Sequence, residues 1–195
     1  MRINRDGTIP SDNPFPNSPI FSLGHRNMFG ISFDKGETAT ATGTKRSQIG
    51  TVSENGGPYN DEINVLKKGG NYGFPFKQIT PQKQQYSSLM PSPLKLIPTD
   101  NSSAISPTRT YYKLITPTQE IFYDGNKFPP LKDKFLIISA IENSIYALTV
   151  NSSGFLTEEL AIRLPEVRGH IIAIAKAQNG DIYLGGRNHI QIGFN

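Results

Sequence analysis

Three histidines are the first residues whose type suits a base or a metal ligand: His25, His170 and His189. No two of them stand four apart, and their spacing gives no metal triad. Neither a Gly-x-Ser-x-Gly elbow nor a phosphate-binding glycine loop is present. His25 sits in Gly24-His25-Arg26-Asn27, where it can orient a loop. Its neighbour Arg26 can clamp a carboxylate through two parallel hydrogen bonds, Asp34 being one open partner. Glu54-Asn55-Gly56-Gly57 reads as a glycine-rich turn. Glu62 has Lys67 and Lys68 as possible surface partners. His170 follows Gly169 and is a candidate pocket residue. Asn101-Ser-Ser103 and Asn151-Ser-Ser153 match the glycosylation acceptor, a pattern frequent by chance.

The elements that must position these residues are short strands joined by tight turns. Phe29 to Phe33, the turn Asp34-Lys35-Gly36 and Thr38 to Thr42 are expected to form one hairpin. Lys134 to Ala140 and Ser144 to Val150, joined near Glu142-Asn143, are expected to form a second. His170 to Ala177, Asn179-Gly180 and Asp181 to Leu184 give a third, with positive φ expected at both turn residues. Leu156 to Leu164 reads as a further strand. Gly24-His25 precedes the first hairpin and Gly169-His170 the third, a weak internal echo. The pattern fits a barrel, a sandwich or a propeller. Thr80 to Thr118 departs from it, with Pro81, Pro91, Pro93, Pro98, Pro107 and Pro117, and is expected to be a long loop excursion over one face.

Composition agrees with an all-β class. The 195 residues are 36% hydrophobic and 18% charged, with 18 Gly and 15 Pro, which disfavours long amphipathic helices. The 19 Phe and Tyr (11 and 8) argue against disorder. The net charge of +4 is scattered, without a basic run, which argues against a nucleic-acid partner. Absence of cysteine excludes disulfides and thiolate metal sites. No apolar run reaches the ~18 residues of a membrane helix, and no signal peptide is expected at the start of this chain.

Four stretches together resemble the soluble quinoprotein glucose/sorbosone (aldose sugar) dehydrogenase family. They are Arg2-Ile-Asn-Arg-Asp-Gly-Thr-Ile-Pro10 with Asp12-Asn-Pro-Phe15; Gly24-His-Arg-Asn27 with Gly30; Glu54-Asn-Gly-Gly57 with Asp61-Glu-Ile-Asn64 and Gly69-Gly-Asn-Tyr-Gly-Phe-Pro75; and Phe122-Tyr-Asp-Gly125 with Phe128-Pro129 and the Lys134 to Val150 hairpin. The resemblance implies that residues 1–195 form about half of a six-bladed β-propeller, roughly three blades, with the family's catalytic His upstream of Met1. It implies oxidation of an aldose at C1, with hydride passing to pyrroloquinoline quinone (PQQ) and a Ca²⁺ ion polarising the quinone. Its cofactor-binding positions fall on Arg26, Asn27 and His170. Its metal positions fall on the carbonyls of Gly56 and Gly57 and, at a separate site, on Glu62 and the carbonyl of Tyr72. A pocket Lys of the family falls near Ile141, and an alternating Arg pair falls on His170 and Ile172, with Arg168 out of register. A sugar substrate and a periplasmic or extracellular location are implied for the full-length protein. A non-catalytic relative that binds carbohydrate or protein is the alternative. Half a propeller has open sheet edges, so self-association is a further expectation.

Overall fold

The computed structural model describes residues 1–36, 48–56, 60–74, 104–167, 169–187 and, for the backbone, 189–192. The chain divides into two compact units, one of residues 1–26 and 66–107, the other of residues 27–65 and 108–195. In the first unit, Leu23 bridges Asn71 in parallel, and the N–H groups of Tyr72 and Phe74 donate to the carbonyls of Leu23 and Gly24 at 2.9 and 2.8 Å.

The second unit is built of antiparallel sheets, and no α-helix occurs among the described residues. The first sheet runs β1 (Met28–Phe33), β2 (Gly50–Glu54), β3 (Asp61–Val65), β4 (Arg109–Tyr111) in spatial order. The second runs β5 (Pro117–Tyr123), β6 (Lys134–Ser139), β7 (Ser144–Val150), β8 (Leu156–Arg163). The third has β10 (Ile182–Gly186) between β9 (Ile171–Lys176) and β11 (His189–Ile192). The first strands of successive sheets pack side by side, β1 on β5 and β5 on β9.

β6 shows why the sheets stack. All six of its residues are buried, and its apolar run alternates between two cores. Leu136 and Ile138 join Ile171, Ile174, Ile182 and Leu184 of the third sheet. Phe135 and Ile137 join Ile63 and Tyr111 of the first. Each such side chain contributes about 1.5–3 kcal/mol by leaving water.

The expected hairpins fare unequally. The β6–β7 hairpin forms, with Asn143 at φ 46° in its turn. The β9–β10 hairpin also forms, but only Gly180 of the Asn-Gly pair has positive φ, at 87°. The Gly180 N–H donates to the Ala177 carbonyl, and the Ala177 N–H donates to the Asp181 carbonyl, giving a three-residue loop instead of a two-residue one. The strand expected over Leu156 to Leu164 is β8. The partner of β1 is β2, whereas the expected partner, Thr38 to Thr42, lies outside the described residues. Of the Thr80 to Thr118 excursion, residues 80–103 also lie outside them; its end is not all loop, since it carries β4 and the start of β5.

The β1–β5 junction is polar instead of apolar. Glu120 of β5 is buried, and its Oε1 accepts hydrogen bonds from Thr51 at 2.8 Å and Ser32 at 3.2 Å. Its Oε2 is buried and has no hydrogen-bond partner among the described residues. Burial pushes the carboxyl up to about 7, against the opposing pull of the Thr51, Ser32 and Ser53 hydroxyls. A Cβ on Gly30 would lie 2.4 Å from the Ser53 hydroxyl and 2.8 Å from Glu120 Cγ, so glycine lets the two sheets approach here.

Candidate functional site

In the second unit, Asn27, Asn55, Gly56 and His170, singled out from the sequence, gather at one end of the sheets with Thr116 and Ala140. Asn27 precedes β1, Asn55 and Gly56 follow β2, Thr116 precedes β5, Ala140 follows β6 and His170 precedes β9. Hydrogen bonds link these ends in turn. The Asn55 N–H donates to the Asn27 carbonyl at 2.9 Å, and the Asn55 side-chain amide donates to the Pro117 carbonyl at 3.1 Å. The Ala140 N–H donates to the Thr116 carbonyl at 3.1 Å. His170 Nδ1 stands 2.9 Å from the Ala140 carbonyl. A carbonyl only accepts, so Nδ1 carries a proton, and Nε2 is the basic nitrogen of the neutral ring.

Asp61 organises this rim and was not singled out from the sequence. It is buried, and its Oδ2 accepts the N–H groups of Ile115 and Thr116 at 2.8 and 2.7 Å. Its Oδ1 accepts the Gly56 N–H at 3.1 Å. One carboxylate thus ties the turn after β2 to the approach to β5. Thr116 has φ 47°, a conformation unusual for a β-branched residue. The two Asp61 bonds from Ile115 and Thr116 and the one from Ala140 hold it there. Gly56 is equally constrained, since a Cβ would lie 1.2 Å from the Asn60 carbonyl oxygen.

The candidate metal residues divide. Gly57 lies outside the described residues. Glu62 belongs to the second unit and Tyr72 to the first, so each is placed by its own neighbours. Tyr72 is buried, stacks on His25 at 4.3 Å between ring centroids, and accepts the Lys67 N–H through its hydroxyl at 2.9 Å. His25 also lies 2.9 Å from the Ser22 hydroxyl, which makes it a loop-orienting residue. Arg26, in the same unit, is half-buried. Glu62 pairs with Glu54 directly across β2 and β3. Opposed carboxylates repel, and the Asn64 amide lies between them, 2.9 Å from Glu54 Oε1 and 3.5 Å from Glu62 Oε2. The other Asn64 atom, Oδ1, is buried and has no hydrogen-bond partner among the described residues.

This oxygen-rich, negatively charged patch has the donor chemistry of a hard cation such as Ca²⁺. Among the described residues, no three His, Cys, Asp or Glu side chains converge on a metal position. A cation here would therefore draw on amide or carbonyl oxygens beside the carboxylates. The positive charge of the Lys and the Arg pair that the resemblance implies is not supplied by these positions. Ile141 and Ile172 occupy two of the three positions, each about half-exposed, and Arg168 lies outside the described residues. His170 alone brings a polar group to the set.

Antiparallel sheets stacked face to face, with their connecting loops gathered at a rim, define an all-β protein of the propeller class. The chain belongs to the glucose/sorbosone dehydrogenase family, whose model matches residues 1–190. It is 47% identical over 78 residues to quinoprotein glucose dehydrogenase B of Acinetobacter calcoaceticus, a match covering 38% of this chain and 14% of that protein. It is 28% identical over 195 residues to an uncharacterized protein of Synechocystis, covering 93% of this chain and 43% of that one. In structure it resembles the PQQ-bound form of aldose sugar dehydrogenase from Streptomyces coelicolor, with a TM-score of 0.64 at 20% identity, over 94% of this chain and 44% of that one. The chain therefore spans less than half the length of these relatives. No helix among the described residues is long and apolar enough to cross a membrane.

Proposed function

We propose that the chain supplies the calcium-supported, quinone-facing rim of a sugar dehydrogenase-type propeller located in the periplasm or outside the cell. The reaction of the whole protein would be oxidation of an aldose at C1. The observation that supports this reading is the continuous hydrogen-bonded rim from Asn27 through Asn55, Thr116 and Ala140 to His170, organised by Asp61. When bound, PQQ would supply the hydride acceptor. The chain's own residues bind and orient. Arg26 offers a bidentate partner for a carboxylate, and His170 offers one ring nitrogen while Ala140 fixes the other. Asn27 is held by Asn55, and Gly56 keeps its carbonyl in place because nothing larger fits. Glu62, with Glu54 and Asn64 beside it, suits a separate structural Ca²⁺. No residue of this chain is assigned as the catalytic base, which the family reading places upstream. Self-association through open sheet edges belongs with this reading of a chain that covers part of the family fold.

Ile141 and Ile172 favour a second reading, a non-catalytic relative that binds carbohydrate or protein. Calorimetric titration separates the two. The first reading expects Ca²⁺ to raise the thermal midpoint of the chain, Glu62→Gln to reduce that rise, and PQQ to bind only with Ca²⁺ present. Absence of PQQ binding with and without Ca²⁺ refutes the quinone-facing rim and favours the second reading.

A further inference from the structure

The strand ends opposite the rim carry a second polar cluster. Lys35 lies just past β1, Asp124 follows β5 and Lys176 closes β9, each at the far end of its strand from Asn27, Thr116 and His170. Together with residues 125–127 and 178–180 they line a cavity of about 540 Å³, a size suited to a small molecule. Every lining residue is charged, an amide or glycine. Buried Tyr123 fixes the walls. Its hydroxyl donates to the Gly180 carbonyl at 2.8 Å and accepts the Phe128 N–H at 3.3 Å, which ties the β5–β6 connection to the β9–β10 turn. A Cβ on Gly125 would lie 2.6 Å from that hydroxyl, so a larger residue would press on this tie. The charges are held as well. Asp124 pairs with Lys176 and, at 2.6 Å, with Lys35; these hydrogen bonds lower its carboxyl to about 2 and keep it ionised. Lys127 pairs with Asp181. The three ammonium groups exceed the two carboxylates they pair with by one positive charge. Each ammonium has three N–H donors, which one carboxylate oxygen does not exhaust. The side-chain amides of Asn126 and Gln178 share the cavity and can both donate to and accept from hydroxyls.

We propose that this cavity binds a polyhydroxylated monocarboxylate, a sugar acid, with its carboxylate at the ammonium groups of Lys127 and Lys176 and its hydroxyls at the amides of Asn126 and Gln178. A single excess positive charge suits a monoanion better than a phosphate dianion, and lysines lack the planar fork that grips phosphate through two bonds. A wall of charges and amides would leave an apolar ligand facing unpaired polar groups. Loss of the C1 hydride and the C1 hydroxyl proton from an aldose gives a lactone, and addition of water opens it to an acid of this class. The ligand is therefore of the product class of the proposed reaction. The binding itself rests on the cavity and not on the cofactor reading, so failure to bind PQQ would leave it standing.

The test is titration of the 195-residue chain with gluconate, without PQQ or Ca²⁺, read by calorimetry and by ligand-observed NMR. Sorbitol has the hydroxyls without the charge, acetate the charge without the hydroxyls, and inorganic phosphate a second charge. One gluconate is expected to bind per chain, at least about tenfold more tightly than any of the three. Lys176→Gln is expected to weaken it by at least about tenfold. Gln178→Glu sets a carboxylate in the cavity and leaves each ion pair in place. It is expected to abolish binding with an unchanged thermal midpoint, since the residue is exposed. Sorbitol, acetate or phosphate binding as tightly as gluconate overturns the sugar-acid assignment. Absence of gluconate binding at about 10 mM, or binding that survives Gln178→Glu in the folded chain, overturns the site itself.

Discussion

Replacing Glu120 by Gln tests the polar junction between the first two sheets. The carboxyl is buried, one of its oxygens has no hydrogen-bond partner among the described residues, and its pKa is raised from 4.5 to about 7, chiefly by burial. A raised folded-state value means that the native chain holds the proton more tightly than the unfolded one. The resulting stability is fully present below pH 4.5 and is lost as the pH rises to about 7. At 1.36 kcal/mol per unit, the loss is about 3 kcal/mol, a substantial part of a domain's stability. Gln keeps the shape and cannot ionise. Urea unfolding of both proteins from pH 4.5 to 8 is therefore expected to show near-equal stability at the acid end. At pH 8, Glu120→Gln should be the more stable by about 3 kcal/mol. The comparison cancels the other titrating groups. A difference between the two proteins that stays constant across this range would refute the reasoning, because it would mean that Glu120 ionises as easily when folded as when unfolded.

Two substitutions test the rim. Gly56→Ala forces a Cβ into the Asn60 carbonyl and is expected to destabilise the chain by about 3 kcal/mol in urea unfolding, the upper range for overpacking; a loss below about 0.5 kcal/mol would show that the turn yields freely. Asp61→Asn keeps one acceptor oxygen but removes the charge that serves three backbone N–H groups. It is expected to cost about 2–3 kcal/mol and to raise amide exchange at Ile115 and Thr116 above that at β6, whereas uniform exchange through both segments would contradict its local role.

What the sequence made legible follows from where the apolar residues sit. The Phe135 to Ile138 run in β6 and its partner in β7 are apolar and close in sequence, so local pattern and tertiary packing agree. β2 is the contrary case. Gly50-Thr51-Val52-Ser53-Glu54 is buried throughout although only one of its residues is a large apolar one. Its burial comes from hydroxyl contacts to β5 and from the Asn64 amide, partners that are not visible in a local window. The Asn179-Gly180 turn was legible as a turn, while its type was not, because Asn179 does not adopt positive φ. At the rim, family resemblance drew attention to Gly56 and Glu62. Asp61, beside them, was hidden because its partners are backbone groups that any residue type would offer.

The division of the chain into two units has a consequence for the order of assembly. β3 ends at Val65 and β4 begins at Arg109, with residues 66–107 belonging to the other unit. The β5–β8 meander is joined by connections of ten, four and five residues, at 124–133, 140–143 and 151–155. Closing the connection at 66–108 costs about 2 kcal/mol more in chain entropy than closing the β6–β7 turn and about 1 kcal/mol more than closing the β5–β6 connection. The second sheet can therefore form early from contacts between near neighbours, and the first sheet gains its outer strand only after that long detour is closed. A ribosome releasing this chain would leave the Gly30 and Ser32 face of β1 uncovered until β5 emerges, and the buried hydroxyls of Ser32, Thr51 and Ser53 would meet water in that interval.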